Sequence, residues 1–96
     1  RYFGEGEHGR AQAGLTTIAE KGALVVAAAG ARLDLYRGAM AVLEPRSQVH
    51  VRAGGIALAC EQALVLADSD AIVYTHPRCL VISEPGARLL KSACRA

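Results

Sequence analysis

The stretch ALVVAAAG-ARLDLYRG, residues 23–38, decides the fold because it contains two eight-residue units of the same pattern. Each unit begins with a small residue, carries mainly small or apolar side chains at positions 1, 3 and 5, and ends in glycine. Extended outward without an insertion, this register divides residues 7–94 into eleven octads with the consensus A-x-V-x-A-x-x-G. Self-similarity at a fixed period indicates a repeat architecture, so we read the chain as a tandem array.

The end of each octad predicts a turn. Glycine occupies the eighth position in six octads, and all three prolines, Pro45, Pro77 and Pro85, fall at the seventh. Glycine reaches positive φ without strain, whereas proline fixes φ and lacks an N–H group. A Pro-Gly-type pair in fixed register therefore indicates a turn in every octad.

The period of eight favours strands over helices. One octad rotates an α-helix by about 80° beyond two full turns, so a repeating apolar position would migrate around the helix. In a strand, one octad is four complete pleats, and every repeat presents the same face. The prediction is an all-β, single-domain β-solenoid (β-helix) of eight-residue strand-turn repeats, each with a strand of about five residues.

Polar residues decide which positions face outward. Positions 2 and 4 carry Arg32, Asp34, Gln48 and His50, and an inward face would not tolerate so many unpaired polar groups. We therefore place positions 1, 3 and 5 inward. The register is expected to fail at Lys91, which falls on an inward position.

The outward positions also predict the size of one coil. In alternate octads they are uniformly apolar: Leu24, Val26, Met40, Val42, Ile56, Leu58, Ile72 and Tyr74. Among the octads between them, the earlier ones carry polar pairs at these positions. The later ones carry the apolar pairs Leu64/Leu66 and Leu80/Ile82. This alternation predicts a two-sided, 16-residue coil made of two octads, since a three-sided coil made of three octads would mix apolar and polar pairs on at least two faces. We expect five or so coils in residues 7–96, with residues 1–6 as an N-terminal arm.

Composition argues against several partners. Eleven Lys and Arg against nine Asp and Glu give a net charge of +2, and the charges are scattered rather than gathered into a basic block. We expect no nucleic-acid partner. No run of about 18 apolar residues is present, so no membrane span is expected. The chain begins with Arg1, so we treat it as a piece of a longer or processed protein, and its localisation is not indicated.

A metal-binding or enzymatic domain is the alternative class. In a 16-residue coil, residues i and i+16 stack about 4.8 Å apart, which places Cys60 beside His76 and Glu44. Such a cluster can ligate zinc or activate a thiol. The spacing of Cys60, Cys79 and Cys94 matches neither a CxxC pair nor a zinc-ligand quartet. The sequence also has no GxSxG, HExxH or phosphate-binding glycine loop, so we expect no catalytic activity and no cofactor.

One polar patch is a possible ligand site. Asp34 and His50 stack at position 4, and Asp68 follows Arg52 at position 6. The patch contains Arg32, Asp34, Tyr36, Gln48, His50 and Arg52. A solvated surface with two favourable ion pairs explains it equally well.

The octads ALVLADSD and AIVYTHPR, residues 63–78, resemble the tandem Ala-x-Val-x-Ala-x-x-x repeats of phage and bacterial surface or tail proteins. The resemblance covers nearly the whole chain and implies a β-solenoid stalk or adaptor, without naming a substrate. The coil is similar in length to that of ice-nucleation solenoids, but their Thr-x-Thr ladders are missing.

The apolar outward residues predict the function. Monomeric proteins rarely expose so large an apolar patch, so we expect a non-catalytic structural and protein-interaction module. Its partner would be a second copy, giving a homo-oligomer, or another protein segment. An intertwined trimeric β-helix of the phage-spike type has the same inward residues and is the alternative architecture.

Overall fold

The computed structural model describes residues 2–91, and these form a β-solenoid of about six turns with twelve parallel strands and no helix. The strands are β1 Tyr2–Phe3, β2 His8–Ala11, β3 Thr16–Ala19, β4 Leu24–Ala27, β5 Arg32–Leu35, β6 Met40–Leu43, β7 Gln48–Val51, β8 Ile56–Ala59, β9 Leu64–Ala67, β10 Ile72–Thr75, β11 Leu80–Ser83 and β12 Arg88–Lys91. Odd-numbered strands form one sheet, the odd sheet, and even-numbered strands form the opposite one, the even sheet.

The pairing register confirms the two-sided coil, with about 16 residues in each turn of the solenoid. Each strand pairs in parallel with the strand two further along the chain, so that Leu24 lies beside Met40, and Met40 beside Ile56. On the odd sheet Arg32 pairs with Gln48 at the same offset of two octads. A three-sided coil would require an offset of three octads, so that alternative is wrong.

The inward and outward positions lie where the sequence predicts. In β4 the side chains of Val25 and Ala27 are fully buried, whereas Leu24 is exposed. The first position is buried too, as at Ala31 and Ala39. Small side chains suit this core because only the narrow space between two closely packed sheets must be filled.

Strands β2 to β12 are four residues long rather than the predicted five. The N–H of the first position turns away from the ladder and donates within the turn, as from Ala31 to the carbonyl of Ala28 at 3.0 Å. The first position therefore belongs to the corner, although its side chain faces the core.

The eighth position has positive φ in the glycine-containing turns and in three turns without glycine. Gly38 has φ 80°, and the non-glycine residues Arg46, Gln62 and Asp70 have φ 68°, 61° and 66°. Turns stack as strands do, because the N–H of Gly38 donates at 3.0 Å to the carbonyl of Gly54, two octads later. The recurring turn predicted from glycine and proline is therefore part of the hydrogen-bond ladder.

The two ends of the described chain differ. Within the segment predicted as an arm, β1 pairs with β3, and Phe3 is buried across the core from Gly9. A Cβ at Gly9 would lie 2.3 Å from the Phe3 ring, so the two residues share one core volume. At the other end Leu89 is 45% exposed. The expected loss of register at Lys91 is wrong, because Lys91 pairs with Thr75 in register.

Candidate functional site

The outer surface of the even sheet carries two apolar columns on four successive strands, β4 to β10. In-register pairing aligns the second and fourth octad positions of these strands. We call these eight residues the apolar strip: Leu24, Val26, Met40, Val42, Ile56, Leu58, Ile72 and Tyr74. Met40 is 50% exposed, Leu24 39% and Tyr74 38%, while the other five are half-buried. The structure therefore brings together all the residues predicted as an interface.

The strip is grooved rather than smooth. A shallow groove of about 460 Å³ lies on the strip and is lined by six of its residues, including Met40 and Tyr74, and by Ala41. The groove exists because in-register parallel strands keep each column straight. Successive residues of one column lie about 4.8 Å apart. Such a surface can accept apolar side chains from a partner.

Polar residues border the second-position column of the strip at both ends, whereas Leu90 continues the fourth-position column onto β12. His8 and Arg10 lie on β2 at one end, and Arg88 lies on β12 at the other. Arg10 forms an ion pair with Glu44 in the turn after β6. The second-position column is thus bounded along the solenoid axis at both ends.

The predicted polar patch lies on the odd sheet and forms a connected network. His50 Nε2 lies 2.7 Å from Asp68 Oδ1, and Arg52 donates to Asp34 at 3.1 Å. The Arg52 guanidinium also lies 5.7 Å from the centre of the Tyr36 ring. The side chains of His50, Asp34 and Asp68 are partly exposed, at 30%, 27% and 31%. These contacts give both carboxylates a partner within the network, as expected for a surface that stabilises the fold.

Arg32 and Gln48 lie beside this network. They line a shallow depression of about 190 Å³ together with Thr16, Leu64 and Leu66. All six residues of the predicted patch are therefore neighbours. Four of them are joined to one another by the ion pairs and the ring contact: Asp34, Tyr36, His50 and Arg52.

The two shortest ion pairs of the odd sheet are diagonal, whereas the lateral contact between His50 Nδ1 and Asp34 is longer, at 3.9 Å. Asp34 pairs with Arg52, and His50 with Asp68, so each bond joins a fourth position to the sixth position of the next coil. The Tyr2 hydroxyl donates to the Glu20 carboxylate with the same offset of 18 residues. This hydrogen bond to Glu20 raises the pKa of Tyr2 above its ordinary value.

The Cys60, His76 and Glu44 side chains occupy equivalent positions in successive turns, but each of the last two has another partner. Glu44 pairs with Arg10, and His76 Nδ1 accepts the backbone N–H of Arg78 at 3.1 Å. Among residues 2–91, no group of three or more His, Cys, Asp or Glu side chains could hold a metal ion. Cys94 lies outside the described residues.

A second apolar surface was not assigned a role from the sequence. Leu80 is 61% exposed, Ile82 57% and Leu66 41%, and with Leu64 they cover the last strands of the odd sheet. They occupy outward positions, so the octad register was a signal that could have identified this surface.

These features define the class of protein: a two-sided β-solenoid whose even sheet has an apolar outer surface and whose odd sheet has a polar region followed by a second apolar surface. The chain matches no protein-family model, no curated protein and no solved structure. Within residues 2–91 there is also no helix with the length and apolar character needed to cross a membrane.

Proposed function

We propose that the chain is a non-catalytic structural and protein-interaction module that self-associates, or docks a partner, through the apolar strip. The observation that carries the proposal is the unbroken row of apolar outward positions on β4, β6, β8 and β10. Monomeric proteins seldom leave such a surface in water. The polar network on the odd sheet provides the contrast, because there the same outward positions are filled by ion pairs.

The free energy expected for burying part of the strip predicts an association that depends on concentration. If about 200 Å² is buried on each partner, at about 25 cal/mol per Å² the gross gain is on the order of 10 kcal/mol. The loss of translational and rotational freedom costs a comparable amount. Small changes in the strip should therefore decide whether the assembly forms.

Replacing Ile56 and Ile72 together by Lys tests the proposal. Two charges would enter the centre of the strip while all inward residues stay unchanged, so association should weaken by about 100-fold or more with the fold retained. Sedimentation measures the mass of each variant over a concentration series, and circular dichroism measures the fold.

The matched control is Leu64→Lys with Leu80→Lys, which adds the same charges at the second position of neighbouring strands on the odd sheet. The control should assemble like the unaltered chain. Assembly lost in the control and kept in the Ile56/Ile72 variant would transfer the interface to the odd sheet. A variant that unfolds would instead show that the outward positions contribute to the core.

The same measurement distinguishes the intertwined trimer. That architecture predicts a mass of three chains that does not dissociate on dilution, because separating the chains would require unfolding them. A reversible assembly of closed solenoids contradicts it and supports docking through the strip.

The metal or enzymatic alternative has its own test. Replacing Cys60 or His76 by Ala should leave metal content and association unchanged, because the contacts of Glu44 and His76 lie elsewhere. Elemental analysis of the purified chain measures bound zinc. Stoichiometric zinc that is lost from either variant would contradict the non-catalytic module.

A further inference from the structure

We propose that the first coil, formed by β1, β2 and the turn between them, is an end cap that prevents a second copy of the chain from adding its strands at this end of the stack. The Phe3 ring is the plug of this cap. The proposal concerns the end of the solenoid and is independent of the apolar strip on its side. It is carried by a ring that crosses the core, a shortened edge strand and polar outward positions.

A single aromatic side chain closes the core at this end. All three tyrosines are exposed, so Phe3 is the one aromatic side chain in the described core. A Cβ added to Gly9 would overlap Cε1 and Cζ of the Phe3 ring. The tip of the ring therefore occupies the place where the opposite sheet would begin its own side chain. One side chain thus spans the core from the odd sheet to the even sheet.

The second coil fills the equivalent space differently. Sixteen residues after Phe3 and Gly9 stand Ala19 and Val25, both fully buried, so each sheet contributes one side chain there. Phe3 is only 3% exposed, although β1 is the edge strand of the odd sheet. The ring therefore seals the core at the edge of the sheet, where a pair of smaller side chains would leave it open.

The strands of the first coil are poor templates for strand addition. β1 has two residues, whereas β11 and β12 have four each. β2 presents His8 and Arg10 at its outward positions, and both residues are exposed. Short edge strands and charged side chains on an edge are two of the features by which β-proteins avoid edge-to-edge association. Repeat proteins likewise have terminal repeats with a polar outer face.

Hydrogen bonds hold the plug in place. The N–H of Glu20 donates to the carbonyl of Phe3 at 2.9 Å, and the Tyr2 hydroxyl donates to the Glu20 carboxylate. In the turn that follows, the N–H of Gly4 donates to Glu7 Oε1 at 2.7 Å. These bonds fix the backbone on both sides of the ring, so the ring keeps its position across the core.

The last described strands show what the plug avoids. Leu89 on β12 is 45% exposed and Val81 on β11 is half-buried, although both occupy the inward third position. The same position is fully buried at Val25 and Val65 inside the stack. Inward residues of an end coil are thus partly exposed where no large side chain crosses the core.

Hydrogen exchange tests whether the ring closes this end. Phe3→Ala leaves a cavity, so the amide hydrogen of Glu20 should exchange about 100-fold faster. Phe3→Ala combined with Gly9→Val recreates the side-chain pair of the second coil and should keep most of this protection. The control amide is that of Arg52, which donates to the carbonyl of Leu35 in the middle of the stack and should change less than about threefold.

Sedimentation tests whether the plug blocks association. The background is the chain with Ile56→Lys and Ile72→Lys, in which the strip is disabled. In this background, Phe3→Ala and the combined Phe3→Ala/Gly9→Val variant should both associate at least about tenfold more tightly than the background itself, because neither has a ring across the open end. Leu35→Ala is the matched control, since it removes buried volume in the middle of the stack and leaves the end unchanged. It should not increase association.

The combined variant separates a cap from an ordinary core pair. A core pair predicts that exchanging its volumes restores both protection and the monomeric mass, and that result would overturn the cap. Unchanged exchange at Glu20 in Phe3→Ala would overturn it as well, because the ring would then not close the end. Greater mass in both variants, with none in Leu35→Ala, supports the cap. If the Ile56/Ile72 background itself still assembles, the proposed function fails, and the comparison of each variant with that background still decides the role of the plug.

Discussion

The odd and even sheets have the same backbone, the same register and a common core, yet their outer surfaces are different. On the odd sheet, the outward positions of β5 and β7 are polar and are tied together by Asp34, His50 and Arg52. On the even sheet, the outward positions of the neighbouring strands β4, β6 and β8 are apolar. The comparison teaches that the octad constrains only the inward positions and the turn, which leaves the outward positions free to specify contacts.

The largest expected effect tests whether the core is shared. Leu35 on the odd sheet and Leu43 on the even sheet are both fully buried fifth-position residues. Replacing either by Ala should lower the free energy of unfolding by about 2–5 kcal/mol, since each change leaves a cavity in a thin core. Urea denaturation measures both variants. Unequal losses, with one below about 1 kcal/mol, would show that the sheets do not contribute equally.

A smaller effect is expected from the polar network. Asp68→Asn weakens the contact with His50, which is partly exposed to solvent, so the free energy of unfolding should fall by only about 0.5–1 kcal/mol. Association should not change, because the network lies on the sheet opposite the strip. Urea denaturation and sedimentation of the same variant provide the two readouts. A weaker assembly in Asp68→Asn would break the division of roles between the two surfaces.

The smallest effect concerns the first coil, where Tyr2 donates to Glu20. Because this hydrogen bond raises the pKa of Tyr2, its contribution to stability is complete below the ordinary tyrosine value of 10.0. It is lost as the pH rises through the raised value. Thermal unfolding of the unaltered chain and of Tyr2→Phe from pH 8 to pH 11 should show the two curves converging at the alkaline end. A difference that grows with pH would contradict this assignment.

The diagonal ion pairs show where the sequence prediction stops. The register placed Asp34, His50, Arg52 and Asp68 in one region, and the structure brings these four side chains together. It did not show that Asp34 binds Arg52 and His50 binds Asp68 across a diagonal. Partner choice depends on side-chain direction and reach, because lateral and diagonal neighbours are both within range of a long side chain.

By itself, the sequence determined the all-β solenoid, the 16-residue coil, the inward positions and the apolar strip. An eight-residue period is commensurate with the two-residue repeat of a strand, so each of these features follows from counting along the chain. Only the tertiary structure decided that Phe3 of the predicted arm fills the space left by Gly9. It also decided that, among the described residues, Arg37 in the turn before β6 and Asp70 in the turn before β10 are exposed and form no ion pair. These features depend on which residues meet across the core and around the corners, and that proximity is set by packing in three dimensions rather than by periodicity.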